Sequence, residues 1–162
     1  MPVEMAETRY GIRVDEHSLH TDGAGAGEYR GGSGAVRVYR SMNENQTFTA
    51  SFGRNKWPVW GAAGGKDGSV NYFQFIDADG IVSEPMGIAA RRVMNTNDVV
   101  RMVTATGGGY GNPFKRPAEK VAMDVKNEYI TVEQAKADYG VLVDPETFKV
   151  LGLTEERQKA EK

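Results

Sequence analysis

Glycine placement constrains this chain more than any other feature. Of its 20 glycines, six fall in Asp22–Gly34 (DGAGAGEYRGGSG) and four in Gly107–Gly111, within Thr106–Arg116 (TGGGYGNPFKR). Glycine loses more backbone freedom on folding than any other residue, so a compact domain concentrates it where geometry demands it. Both tracts also carry charge: Asp22 and Arg30 in the first, Lys115 and Arg116 in the second. The pattern predicts backbone brought into close approach, either to a ligand or to a neighbouring polypeptide.

At 162 residues the chain has the length of one domain with a real core. Its apolar residues come in short runs, and none has the length of a bilayer span or of a targeting segment. The net charge of −2, with both signs interspersed, gives no footprint for nucleic acid or an anionic membrane. Cysteine is absent, which excludes disulfides, zinc–thiolate sites and cysteine nucleophiles. A cytoplasmic location is the expectation, because nothing points to an oxidising compartment.

The residues predict an α+β fold, predominantly β-strands with glycine-rich turns, followed by a short C-terminal helical segment. Val36–Arg40 alternates apolar and charged residues, and Thr47–Gly53 alternates small polar residues with Phe48, Ala50 and Phe52. Val70–Ile76 is aromatic and β-branched, and ends at Asp77-Ala-Asp79-Gly80, where a hairpin turn is expected before Ile81. Val99–Ala105 runs into the second glycine tract. Pro117 suits the start of a helix over Ala118–Asn127. Thr131-Val-Glu-Gln134 has the spacing of a capping box, and Gly140 suits the end of that second helix. A short strand is expected at Val141–Val143. The organisation expected is one domain over residues 1–143, β-rich to 106 and then glycine loop and helices, with a charged tail over 144–162.

Several familiar motifs fail on their chemistry. Gly61–Asp67 (GAAGGKD) lacks both the spacing of a phosphate loop and the Ser or Thr that would ligate magnesium. Gly23–Gly27 contains GxGxG, but no apolar helix follows it. Asp77–Gly80 has the acidic start of a calcium loop without its later ligands, so a plain turn is expected. His17 and His20 could share a helical face, but Asp15–Ser18 reads as a turn, and no metal site is expected. Trp57 and Trp60 flank Pro58 and suit either ligand stacking or an interface. No nucleophile–base order stands out, so catalytic residues stay unassigned. Asp22 and Arg30 either brace their own loop or contact a ligand, and Lys115-Arg116 is either a solvated pair or functional.

Four blocks in order resemble the hydantoinase B/oxoprolinase family. Asp22–Gly34 is similar to its D-S-G-G-x-G-x-Y-R-G-G-x-G segment, and Arg54–Gly65 (RNKWPVWGAAGG) stands in the place of its arginine, proline and multi-glycine stretch. Thr106–Pro113 resembles T-x-G-G-G-G-Y-G-D-P, and Asp124–Val141 resembles the closing D-V-x-x-G-x-V-S-x-x-x-A-x-x-x-Y-G-V. Pro2-Val-Glu4 with Glu7 resembles the P-x-E-x-x-E ahead of these blocks. The chain departs from the pattern at Ala24, Ala26, His20 (often arginine), Asn112 (usually aspartate) and Glu128 (commonly glycine).

The resemblance implies the C-terminal part of a much longer B-type component, here expected to act as a detached small subunit with exposed apolar surface. Relatives in that family either hydrolyse cyclic amides such as hydantoins, 5-oxoproline or lactams, or carboxylate ketones such as acetone and acetophenone with bicarbonate. The resemblance implies ATP, with magnesium or manganese, in partner subunits and no cofactor on this chain. The partners implied are a kinase/actin-like hydantoinase A-type subunit and the N-terminal part of a hydantoinase B-type subunit. The leading expectation is a subunit of an ATP-dependent ketone carboxylase; the alternatives are the same role in a cyclic-amide hydrolase, or a non-catalytic assembly module. Substrate or interface loops are expected at Asp22, Gly25, Gly27, Arg30, Gly107, Gly108, Gly109 and Tyr110, with Gly109 expected to need a positive φ.

Overall fold

The computed structural model describes residues 2–21 and 23–160. The fold is α+β with strand predominating, as the sequence pattern requires. Its contacts divide the chain into two compact units, one made of Met1–His20, Gly34–Trp57 and Val70–Ala105, the other of Thr21–Ser33, Pro58–Ser69 and Thr106–Lys162.

The first unit opens with helix α1 (Val3–Tyr10), which ends on left-handed Gly11. Strands β1 (Ile12–His20), β2 (Gly34–Ser41), β4 (Tyr72–Ile76) and β6 (Val99–Val103) form an antiparallel sheet in the order β1-β2-β6-β4. Strands β3 (Gln46–Ser51) and β5 (Ile88–Met94) pair as a separate antiparallel ribbon. Phe73 and Phe75, two apart on β4, point to one side, as strand alternation dictates. Phe48 meets both rings and Phe52 meets Phe73, edge to face at 5.4–5.6 Å between ring centroids, the geometry that aromatic quadrupoles favour. Met94 and Val100 complete this core. The Asp77–Gly80 segment is a turn, with Gly80 at φ 86° and its N–H donated to the Asp77 carbonyl.

The stretch Asp15–Ser18 is not a turn but the middle of β1, with a bulge between Val14 and Glu16. No alternation betrays it, because β1 is exposed along most of its length. Asp15 is held by ion pairs to Arg13 (2.7 Å) and Arg40 (2.6 Å). His17 and His20, three apart on a strand, face opposite sides and cannot share one ligand. His17 Nε2 accepts from Arg37, and His20 Nδ1 donates to the Thr104 carbonyl. Glu7, from the block before the glycine tracts, accepts the Val14 N–H and so ties α1 to β1.

The second unit contains a 3-10 turn (Pro113–Lys115), helices α2 (Ala118–Lys126) and α3 (Val132–Tyr139), the hairpin β7 (Val141–Val143) and β8 (Val150–Leu153), and helix α4 (Glu155–Ala160). Thr131 and Gln134 form both bonds of the capping box, and Gly140 closes α3 in the left-handed conformation. Pro117 takes the N-cap of α2, one place earlier than the first helical turn. Val121, Val125, Ala135, Tyr139 and Val141 form the core.

Glu128, where the family pattern carries glycine, sits at φ 58° just past the end of α2. The Tyr129 N–H returns to the Asp124 carbonyl and fixes that turn. A side chain in this conformation costs about 1–2 kcal/mol, part of which glycine's greater unfolded-state freedom offsets. Glu128→Gly is therefore expected to stabilise the protein by about 1 kcal/mol, a rise of about 2–4 °C in melting temperature. Calorimetry on the two chains checks this, and a lower melting temperature would contradict the strain at Glu128.

Candidate functional site

The glycine tracts approach one another. In the second unit, the 107–111 segment runs between two others: Tyr110 pairs antiparallel with Tyr29 on one side and parallel with Ala62 on the other. Glycine is required for steric reasons. A Cβ added at Gly25 would lie 2.2 Å from the Lys66 carbonyl oxygen, at Gly27 2.6 Å from the Tyr110 nitrogen, and at Gly108 2.2 Å from the Trp60 oxygen. At Gly109 it would lie 2.2 Å from the Ala26 oxygen. Gly109 is not among the positive-φ glycines, so its constraint is close approach rather than backbone sign. Gly107 is looser, with the Gly32 nitrogen at 3.0 Å.

Backbone hydrogen bonds seal this layer. Gly25, Gly31, Ala62, Lys66, Gly107, Gly109, Tyr110 and Gly111 each donate an N–H to a backbone carbonyl within it. Asp67 accepts the Gly61 N–H, so the phosphate-loop look-alike is also internally bonded. These amides therefore hold carbonyls rather than an external anion. Thr106, fully buried, pins one end: its hydroxyl donates to the Gly23 carbonyl, accepts the Ser69 N–H, and its own N–H reaches Ser69 Oγ.

Arg30 leaves the first glycine tract for a cluster of buried charges. Its Nη1 donates to the Gly31 carbonyl, its guanidinium lies 4.6 Å over the Tyr129 ring, and its Nε is 3.6 Å from Asp124 Oδ2. Arg116 donates to the same carboxylate oxygen through Nε (3.0 Å) and Nη2 (2.8 Å), and through Nη1 to the Glu28 carbonyl. Helix α2 presents Asp124, which is 7% exposed. Arg157 of α4 is 4% exposed and donates to the carbonyls of Tyr139 and Arg116. Burial pushes the Tyr139 hydroxyl above its ordinary pKa, and the nearby Arg116 and Arg30 charges do not cancel that push. It stays neutral at physiological pH.

Of the residues singled out in the sequence, Gly25, Gly27, Gly107, Gly108, Gly109 and Tyr110 come together in one layer, and Arg30 links it to the ion cluster. Asp22 lies outside the described residues. Arg116 is no solvated neighbour of Lys115, since Asp124 takes it inward. Thr106, Ser69, Asp124, Tyr139 and Arg157 are not among the residues singled out as site candidates from the sequence. Thr106 and Asp124 head two of the family-like blocks and Tyr139 stands at the tyrosine of the last, which is the signal the sequence offers for them. Among the described residues, no three His, Asp or Glu side chains gather as a metal site. A groove of about 390 Å³ in the first unit is floored by Phe48, Met94 and Val100, and its Ser41 and Gln46 bond each other.

Comparison with known proteins gives this arrangement a context. The B component of a putative D-/L-hydantoinase from a Pseudomonas species is 31% identical over 144 residues, covering 88% of this chain and 24% of its own length. The beta chain of the caprolactamase of Pseudomonas jessenii is 30% identical, with 88% and 25% covered. The crystal structure of that ATP-dependent caprolactamase matches 98% of the chain and 27% of its own with a TM-score of 0.76. A nucleotide-free acetone carboxylase shares the fold, with a TM-score of 0.75 over 99% of this chain and 25% of its own, at 17% identity. The chain thus spans about a quarter of the length of each of these proteins. The hydantoinase B/oxoprolinase family model matches residues 1–113. With its glycine layer, its ordered blocks and that match together, the chain belongs to the hydantoinase B/oxoprolinase family.

Proposed function

We propose that this chain serves as the C-terminal part of a hydantoinase B-type component in an ATP-dependent complex that hydrolyses a cyclic amide. The observation that carries this reading is the identity of about 30% to a hydantoinase component and a caprolactamase component. The complex also contains the remainder of the B-type polypeptide and a kinase/actin-like A-type subunit, which binds ATP with its divalent metal. ATP phosphorylates the amide oxygen, and water adds to the activated carbon. The C–N bond breaks with the nitrogen leaving as the amine, and a second water hydrolyses the resulting acyl phosphate to carboxylate and phosphate. This chain contributes a rigid wall to the assembly rather than a nucleophile, and the complex works in the cytoplasm.

Acetone carboxylase supports a second reading, a ketone carboxylase, because its fold matches nearly the whole chain. The internally bonded glycine amides favour a third, a purely architectural module. The test is ATP turnover by the complex purified from its host, with hydantoin, 5-oxoproline and caprolactam each compared with acetone or acetophenone plus bicarbonate. ATP-coupled ring opening is the expected result. Turnover with ketone and bicarbonate alone would replace this reading with the second, and no turnover with either class would favour the third.

A further inference from the structure

Three large aromatic side chains stand out from the glycine layer instead of packing into a core. Tyr29 is 64% exposed, Tyr110 57% and Trp60 69%. Tyr29 and Tyr110 exchange both backbone hydrogen bonds across the layer, and their rings lie 6.2 Å apart. Trp60 belongs to the segment on the other side of 107–111, its carbonyl pressed against Gly108. The glycines thus build a closely approached base, and the three aromatic residues it carries are each more than half exposed.

From this geometry we infer that Tyr29, Trp60 and Tyr110 form a docking surface for the remainder of the B-type polypeptide. The inference rests on the reading under Proposed function and adds the place where the two polypeptides meet. Tyrosine and tryptophan on a fixed base offer large contact area, a polar tip and little entropy to lose, which is why they dominate binding hot spots. The occupant follows from length: in the relatives, this fold is about a quarter of a polypeptide whose other three quarters need a surface to pack on.

The test isolates the tagged chain from its host and identifies co-purifying chains by mass spectrometry, for wild type, the Trp60→Ala/Tyr110→Ala double variant, and Leu151→Ala. Leu151 is 67% exposed on β8, outside the layer, and serves as control. Wild type and the control are expected to retain the B-type polypeptide, while the double variant loses at least ten-fold of it with an unchanged melting temperature. Equal retention by the double variant would overturn the docking surface and leave the proposed function standing. A wild-type chain that isolates only the A-type partner, only further copies of itself, or nothing would overturn both.

Discussion

Gly109→Ala is expected to lose about 3 kcal/mol or more of stability, and with it about 6–12 °C of melting temperature. The new methyl carbon would stand 2.2 Å from the Ala26 carbonyl oxygen, 2.5 Å from its carbon and 2.7 Å from the Gly25 oxygen. All three are backbone atoms, so no side chain can swing aside. The segment would have to move by about an ångström, well beyond what close-packed interiors absorb without strain. That movement breaks the 2.9 Å bonds from the Gly109 N–H to Lys66 and from the Ala62 N–H to Gly109. Gly32→Ala is the matched control, since nothing lies within 4 Å of its added Cβ. Thermal unfolding of both variants decides the matter. A Gly109→Ala protein as stable as Gly32→Ala would mean that the layer is not close-packed.

The second large effect is expected at Asp124. Asp124→Asn keeps the shape and removes the carboxylate charge that faces both Arg30 and Arg116, whose side chains are only 14% and 13% exposed. Buried guanidiniums left without a counter-charge are costly, and breaking such a pair from one side typically loses about 3–5 kcal/mol. High salt should restore little of that loss, because the cluster is shielded from mobile ions. Denaturant unfolding at low and high ionic strength measures both quantities. A loss below about 1 kcal/mol, the scale of a surface pair, would show that solvent reaches the cluster.

Local chemistry made much of the fold legible. Thr131, Gln134 and Gly140 announce α3 through caps that act within a few residues, and the aromatic and β-branched run Val70–Ile76, ending at a turn, announces β4. Strand β1 carried no such mark, since a strand exposed along most of its length has no reason to alternate. Strand β5 was equally silent: it pairs with the short ribbon strand β3, and most of its residues are exposed. The glycines were readable as a demand for close approach, but not as to what approaches. The answer depends on three segments distant in sequence, none of which encodes the others locally. The Arg30–Asp124–Arg116 cluster was hidden for the same reason, each residue having a plausible life at the surface when read alone.

The sealed layer also bears on how the reactions of such proteins can be inferred. A glycine held in place by a neighbouring carbonyl 2.2 Å from its would-be Cβ is fixed by the architecture, whatever molecule is transformed nearby. Selection on substrate has no purchase on it. The closely packed glycines of the Asp22–Gly34 and Thr106–Pro113 blocks therefore report ancestry and shape, and stay mute about chemistry. A lactam hydrolase and a ketone carboxylase could carry the same tract while differing wholly in what they bind. Residues that diversify with substrate must be sought on surfaces free to vary, and a motif search keyed to these glycines will group enzymes by scaffold and mix their activities.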